Sequence, residues 1–175
     1  MKEIYTSITD YYGEKIREHG ATPRGVDWNG EESQHLRFKI LSQVLTKEDF
    51  SISDIGCGYG SYLKFLSQNF SNFRYQGYDI SYDMVEAARK INGSVSSFQE
   101  ISNLEKLKMS DFSVASGIFN VKVGYSDAAW IDYVLESLHQ IDKKSGDGFS
   151  FNMLTKYSDK EKLQKDLYYA DLCFF

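Results

Sequence analysis

The chain has 175 residues, of which 42% are hydrophobic, and it carries 20 Lys or Arg against 25 Asp or Glu, a formal net charge of −5. This length predicts one domain with a sizeable core, and the acidic balance argues against a nucleic-acid binder and against docking on an anionic membrane. Cys57 and Cys173 suggest no disulfide framework, and the histidines and cysteines lack the close spacing of zinc sites. With no signal-peptide or membrane-span pattern, we expect a cytoplasmic protein without a metal.

Residues 1–45 predict a helical lid or cap, followed by an α/β core over residues 50–175. A Tyr-rich, weakly helical segment covers about Ile4–His19, and a glycine-containing loop runs from Gly20 to Gly30. Asn29 and Glu32 have the spacing of a capping box at the start of the next helix. That helix repeats its apolar residues at Leu36, Ile40, Leu41, Val44 and Leu45.

From Phe50 onwards, β-like runs alternate with amphipathic helices, which predicts a parallel sheet covered on both faces. The predicted strands are Phe50–Ile55, Phe73–Asp79, Ser94–Phe98, Phe112–Ser116 and Phe149–Leu154. The predicted helices are Ser61–Phe70, Ser81–Gly93 and Asp127–His139, with a last helix opened by Ser158 and Glu161 and containing Leu163 and Leu167. The expected buried positions include Met84, Val85, Ala88 and Ile91 in one helix, and Trp130, Ile131, Val134, Leu135 and Leu138 in another.

A glycine turn follows the first predicted strand. It reads Asp54-Ile55-Gly56-Cys57-Gly58-Tyr59-Gly60. Glycines let the backbone bend sharply and let a ligand approach it closely, and the helix N-terminus beyond presents free N–H groups to an anionic group. Asp79 ends the second predicted strand, where an acid can accept hydrogen bonds from ribose hydroxyls. The layout predicts a nucleoside-type binding site.

The form D-x-G-x-G-x-G over Asp54–Gly60 resembles the first motif of the class I S-adenosylmethionine-dependent methyltransferases. A dinucleotide site needs G-x-G-x-x-G, and here Ser61 stands at its third position. The run Gly77–Ser81 followed by Met84 looks like the family's second motif, and Ser116–Asn120 resembles the motif that lines the methionine end of the cofactor. The resemblance spans nearly the whole chain.

The resemblance implies a Rossmann-like doubly wound sheet with strand order 3-2-1-4-5. The family's sheet closes with a hairpin of strands 6 and 7, and the residues after Leu154 are too few for it, so we expect the fifth strand at an edge. The implied cofactor is S-adenosylmethionine. Its candidate binding residues are Asp54, Gly56, Cys57, Gly58, Gly60, Asp79, Ile80, Met84, Gln99, Ser116, Gly117 and Ile118, with Tyr12 and Trp28 in the N-terminal lid.

Purely structural interpretations of these residues stay open. The glycines could form an ordinary strand-to-helix turn, and Asp79 could be a helix-capping acid, although Ser81 already suits that position. Asp54 could be a buried acid satisfied by backbone N–H groups. Cys57 suits a small filler better than a nucleophile, since no basic residue adjoins it. The aromatic rings of Tyr12 and Trp28 could simply pack on the core.

The implied activity is methyl transfer to the oxygen or nitrogen of a small-molecule acceptor, such as a sugar or another metabolite, by in-line displacement. The catalytic residue is unknown: candidate general bases are His19, His35, Tyr11, Tyr12 and Tyr125, and Asn120 could orient the substrate. A non-catalytic S-adenosylmethionine-binding scaffold and a nicotinamide-dependent oxidoreductase are the alternatives. We also expect a homodimer, through the edge of the fifth strand or the apolar segment Leu172–Phe175.

Overall fold

The computed structural model describes residues 2–28, 30–93, 97–158, 161, 163–171 and 173. Its helices are α1 (Lys2–His19), α2 (Glu31–Leu41), α3 (Ser61–Asn69), α4 (Tyr82–Asn92) and α5 (Asp127–Asp142). Its strands are β1 (Asp49–Ile55), β2 (Asn72–Asp79), β3 (Phe98–Glu100), β4 (Ser110–Ala115) and β5 (Ser145–Phe151). Short 3-10 helices cover Pro23–Val26, Ser42–Val44 and Leu104–Lys106.

The strands form one parallel sheet in the order β3-β2-β1-β4-β5, which confirms the predicted topology. Asp54 of β1 pairs with Gly77 of β2 on one side and with Val114 of β4 on the other. Because the strands are parallel, the carboxyl ends of these three strands meet at one edge of the sheet. The strand order reverses at β1, and the crevice outside such a reversal point is where open α/β sheets bind ligands.

Helices pack on both faces of this sheet because the strands are apolar on both sides. Ile55 belongs to a cluster that includes Ile8 of α1 and Trp130 of α5. Ile52, three positions earlier, belongs to a separate cluster with Tyr62 and Leu66 of α3. The sheet is therefore buried between two helical layers, and only its edges and ends are left to build a site.

The predicted apolar face of α2 is wrong at Leu36 and Ile40, whereas Leu41 is buried as predicted. Leu36 and Ile40 are 59% and 54% exposed, and the buried residues of the helix are Gln34, Phe38 and Leu41. At 100° per residue, Phe38 lies almost opposite Leu36 on the helix. The ring of Phe38 packs against that of Tyr62 with 5.0 Å between centroids, and this aromatic contact selects the buried face.

The buried positions of α4 and α5 agree with the sequence pattern at their centres. Met84, Val85 and Ala88 are buried in α4, and the predicted positions Trp130 and Val134 are buried in α5. Ile91 and Leu135 are wrong as core positions, with 54% and 42% exposure. Ile91 lies in the last turn of α4, and at 100° per residue Leu135 lies about 140° around α5 from Trp130, away from its buried face. Gly93 ends α4 with a left-handed φ of 63°, as expected of a C-terminal cap.

The helix predicted from Ser158 does not occur in the described part of that segment. Leu167 instead bridges Val121 antiparallel, and Ala170 bridges Thr155 in parallel. The backbone N–H of Tyr168 donates to Asn120 O at 2.7 Å. Tyr168 and Ala170 are 6% and 2% exposed, so burial of these side chains favours an extended segment over a helix. We call residues 163–171 the return segment.

Three expectations fall on residues outside the described ranges: the cap at Asn29, the start of the third strand at 94–96, and most of the apolar segment 172–175. β5 begins at Ser145 rather than Phe149, because its glycine-rich start pairs with β4, as in the Phe112–Gly148 pair. Tertiary pairing here overrides a poor intrinsic strand sequence. Within the described residues, no helix combines the length and the apolar character that crossing a bilayer requires.

Candidate functional site

A cleft, which we call the first cleft, opens at the carboxyl edge of the sheet and is bordered by α1. It contains about 960 Å³ free of protein atoms, part of it open to solvent. All but two of the candidate residues line it: Tyr12, Trp28, Asp54, Gly56, Cys57, Gly58, Asp79, Ile80, Met84, Ser116, Gly117 and Ile118. Residues from five separate stretches of sequence therefore meet around one concave space, as expected of a ligand site.

Two glycines make the turn after β1 possible. Gly56 has a left-handed φ of 72°, and a Cβ there would overlap Ile118 Cγ2. Gly58 has a φ of 53°, and a Cβ there would lie 3.0 Å from Val26 Cγ1. Both positions disfavour larger residues by conformation, and Gly56 also excludes them by space, so the turn presents backbone at the floor of the first cleft.

Gly60 lies outside the lining of the first cleft. Its neighbours are instead Phe98 and Asn92: a Cβ at position 60 would lie 2.8 Å from Phe98 Cζ and 2.6 Å from Asn92 Nδ2. The residue caps the N-terminus of α3 with a φ of 82°. Its position assigns it to the close packing of α3 against β3 and α4, a role the glycine pattern alone does not distinguish from ligand contact.

Gln99 is the other candidate outside the lining. It lies within β3, where it pairs with Tyr78, and the chain enters the first cleft only beyond it, at Ile101 and Leu104. The backbone N–H of Ile101 donates to Asp79 O at 2.9 Å and ties this segment to the cleft. Sequence reasoning missed both residues, although two apolar side chains just after a strand are a usable signal.

The Asp79 carboxylate is held by the backbone on both oxygens. Gly58 N–H donates to Oδ2 and Ser81 N–H donates to Oδ1, each at 2.9 Å. Burial raises the pKa of this carboxyl, and the hydrogen bonds from Ser81 and Gly58 oppose that rise. Since each carboxylate oxygen can accept more than one hydrogen bond, Asp79 keeps accepting capacity at the first cleft in a fixed orientation. Ser81 caps α4 as predicted, through Oγ and Met84 N–H.

Asp54 lies deeper than Asp79 and is 2% exposed. Burial raises its pKa to about 7, the hydrogen bond from Tyr75 lowers it, and the nearby charge of Asp79 raises it. The hydroxyl of Tyr75 donates to Asp54 Oδ2 at 2.6 Å. The first cleft therefore contains one fixed carboxylate and one acid whose charge changes near neutral pH.

The segment after β4 contributes an unpaired polar atom. Ser116 Oγ is buried and has no hydrogen-bond partner among the described residues. The next residue, Gly117, has a φ of 83°, and a Cβ there would lie 2.8 Å from Cζ2 of the Trp28 ring. A buried hydroxyl without a partner costs free energy unless a ligand or water supplies one, so Ser116 marks a polar contact point of the first cleft.

A second cleft of about 1150 Å³, also partly open to solvent, adjoins the first. The two share Tyr12, Val26, Trp28 and Gly117. The other residues of the second cleft are Tyr11, Lys15, His19, Arg24, Asp27, Ser33, Arg37, Asn120, Val121, Leu154, Gln164 and Leu167. Sequence reasoning missed this cleft because α1, α2 and the return segment build it together.

The candidate bases divide between the second cleft and other places. His19, Tyr11 and Tyr12 line the second cleft. His35 instead packs near the rings of Phe38 and Phe65, and the Tyr125 hydroxyl lies 3.3 Å from Ser7 Oγ. Burial raises the pKa of Tyr12 above its usual value and that of Tyr11 to about 12. Both tyrosines are therefore hydrogen-bond donors at neutral pH.

Comparison with known proteins agrees with this geometry. The methyltransferase domain family matches residues 53–145. The putative methyltransferase Rv1506c of Mycobacterium tuberculosis is 41% identical over 130 residues, 74% of this chain and 78% of that protein. Human EEF1A lysine methyltransferase 2 is 32% identical over 112 residues, 63% of this chain but 44% of that protein. The chain belongs to the methyltransferase domain family.

Solved structures share the fold. The magnesium protoporphyrin IX methyltransferase of Synechocystis PCC 6803 with bound S-adenosylmethionine has a TM-score of 0.63 at 14% identity, over 97% of this chain and 80% of that one. Human N-acetylserotonin methyltransferase in complex with S-adenosylmethionine has a TM-score of 0.55 at 18% identity, over 88% of this chain and 42% of that one. The predicted class, a class I S-adenosylmethionine-dependent methyltransferase, is confirmed.

Proposed function

We propose that the chain binds S-adenosylmethionine in the first cleft and transfers its methyl group to the oxygen or nitrogen of a small-molecule acceptor. The observation that best supports this proposal is the charge of the residues that line the cleft. Its described lining contains the carboxyl groups of Asp54 and Asp79 and no Lys, Arg or His. When bound, S-adenosylmethionine supplies an activated methyl on a positively charged sulfonium, which this lining suits better than it suits the pyrophosphate of a dinucleotide.

The residues of the first cleft fit the parts of that cofactor. The backbone-held carboxylate of Asp79 can accept hydrogen bonds from ribose hydroxyls. Ile80, Met84, Ile101 and Leu104 provide an apolar wall for a purine ring. Ser116 Oγ, which lacks a partner among the described residues, offers a hydrogen bond to the polar methionine end.

The cap of residues 1–45 completes the proposal. α1 contributes Tyr5, Ile8 and Tyr12 to the first cleft, and the following segment adds Val26 and Trp28. Three of these side chains, Tyr12, Val26 and Trp28, also line the second cleft and so lie at the border of the two clefts. We assign them the role of a lid on the core of residues 50–175.

Positioning is the main catalytic task, because in-line displacement needs the acceptor atom aligned with the methyl group. The second cleft gives the acceptor a route to Tyr12 and Trp28 at the border of the first. The Tyr12 hydroxyl holds its proton and can orient an acceptor by donating a hydrogen bond, whereas the proton of the Tyr11 hydroxyl is donated to Asp27. His19 lines the second cleft and is the candidate general base there.

The acceptor is proposed to be small because the second cleft is concave. Two structural relatives are named for small molecules, magnesium protoporphyrin IX and N-acetylserotonin. The human sequence relative is named for a lysine of a protein, and the match covers 44% of it. A concave second cleft favours the first kind of acceptor for this chain.

Isothermal titration calorimetry with S-adenosylhomocysteine, the product left by methyl transfer, tests the cofactor assignment. We expect one binding site per chain. Absence of binding to protein that circular dichroism shows to be folded would reject the proposed function.

A further inference from the structure

The second cleft adjoins the proposed cofactor site. It meets the first cleft at Tyr12, Trp28 and Gly117, beside the segment with the unpaired Ser116 hydroxyl. A molecule in the second cleft therefore comes closest to the first cleft at these shared residues.

The charge of the second cleft contrasts with that of the chain. The chain has a net charge of −5, yet the cleft brings together Lys15, Arg24 and Arg37 with Asp27 as its one described carboxylate. Asp27 is already engaged: Lys15 Nζ lies 2.9 Å from its Oδ1, and the Tyr11 hydroxyl donates to its Oδ2. The two arginines are thus left without an acidic partner on the walls of the cleft.

Arg37 is held in place by a ring and by backbone and side-chain oxygens. Its guanidinium lies over the Trp28 ring, 4.4 Å from the centroid, and its Nη1 donates to Ser33 O at 2.9 Å and also to Ser33 Oγ. Among the described residues it forms no ion pair with a carboxylate. Partial burial without a counter-charge lowers its pKa. A guanidinium has five N–H donors, so this fixed, desolvated cation retains donors for an anion.

We propose that the second cleft binds the methyl acceptor and that this acceptor carries an oxyanion group, a carboxylate or a phosphate, which pairs with Arg37. The inference rests on the proposed function, because it names the substrate class of the same enzyme. Arg24 adds a second positive charge at the cleft, while Trp28 fixes the Arg37 guanidinium beside the border of the first cleft. Pairing with an anion offsets the cost of desolvating Arg37 and sets the acceptor's orientation.

Saturation-transfer NMR on protein saturated with S-adenosylhomocysteine tests this inference with three probes: glucose 6-phosphate, glucuronate and glucose. We expect the phosphate, the carboxylate or both to bind with a dissociation constant of about 1 mM, and glucose to give no signal. The phosphate and carboxylate arms identify which oxyanion the site prefers. If neither anionic probe binds at about 10 mM, or if glucose binds equally well, the inference is overturned.

Two charge-removing variants on the same helix provide the matched comparison. Arg37→Gln should weaken binding of the anionic probe about tenfold or more, whereas Lys39→Gln, an exposed position outside the cleft, should leave it unchanged. Arg37→Lys keeps the charge and should recover part of the loss. Equal affinity in Arg37→Gln and wild type would contradict the assignment.

Calorimetry with S-adenosylhomocysteine on the same samples separates the two proposals. Arg37→Gln should bind S-adenosylhomocysteine like the wild type, since Arg37 does not line the first cleft. Failure of the wild type to bind S-adenosylhomocysteine rejects the proposed function. Normal binding of S-adenosylhomocysteine together with no anion binding rejects the acceptor inference alone.

Discussion

Asp79 receives two backbone hydrogen bonds and still faces the first cleft, so its carboxylate is oriented before a ligand arrives. We predict that Asp79→Ala weakens S-adenosylhomocysteine binding by about tenfold or more, because it removes a charge-assisted acceptor. Calorimetry measures the affinity. Asp83→Ala is the control: it removes an acid that pairs with Arg17 on the surface and does not line the cleft. Equal affinities of the two variants would remove the ribose role of Asp79.

Asp54 makes the ligand-free fold sensitive to pH. Its pKa is about 7 in the folded chain against an unfolded value of about 3.9, so between these values the folded state holds the extra proton. Stability therefore falls as pH rises across this window. We predict that Asp54→Asn makes this decline shallower, by up to about 1.4 kcal/mol per pH unit. Urea unfolding of the ligand-free protein at several pH values measures it, and parallel profiles of variant and wild type would contradict it.

At the residue scale, the sequence predicted those site residues whose role depends on the backbone. Gly56 and Gly58 have left-handed φ values at fixed positions of one turn. Because glycine suits these φ values best, the turn is visible in the sequence as regularly spaced glycines. Ile101 and Leu104 carry no such pattern, since their place in the first cleft depends on contacts with elements distant in sequence. The contact of Arg37 with the Trp28 ring could not be predicted for the same reason, because the position of Trp28 depends on the packing of a loop.

Helix α2 shows how a helix can be predicted correctly while part of its buried face is not. We predict that Phe38→Ala lowers the free energy of unfolding by about 3–5 kcal/mol, because it opens a cavity between Phe38's neighbours Tyr62 and Phe65. Leu36→Ala, on the exposed face, should change it by no more than about 0.5 kcal/mol. Chemical denaturation gives both values. A larger loss for Leu36→Ala would reverse the assignment of faces.

At the element scale, sequence patterns were sufficient wherever the element and its neighbour are adjacent in the chain. The unit from β1 through α3 to β2 was predicted within a residue or two at each boundary. The face of α2 and the extended return segment were not, because aromatic packing on Tyr62 and the burial of Tyr168 decide them. Both are contacts across long sequence separations, which periodicity does not encode.

At the scale of the whole molecule, the return segment joins parts of the chain that are distant in sequence, for example Leu167 and Val121. We predict that Tyr168→Ala lowers stability by about 3 kcal/mol and weakens anionic probes in the second cleft more than S-adenosylhomocysteine in the first. The reason is that Leu167 and Gln164 line only the second cleft. Thermal unfolding and the two binding assays measure these effects. Tyr157→Ala is the control, since Tyr157 is 76% exposed, and equal losses in both variants would refute the role of Tyr168.

β5 lies at one edge of the sheet. The expected homodimer through this edge stays a prediction. Sedimentation velocity over a range of concentrations tests it: a rise in sedimentation coefficient supports it, and a constant monomer value rejects it.

The return segment is also synthesised after all the described residues of the first cleft. Every described residue of the first cleft lies between Tyr5 and Tyr133, whereas the second cleft needs Leu154, Gln164 and Leu167 as well. A growing chain therefore contains every described residue of the proposed cofactor cleft before the ribosome has made the return segment, which lines the proposed acceptor cleft. Under the two proposals, the residues that hold the methyl donor are synthesised first and those that select the acceptor are completed last.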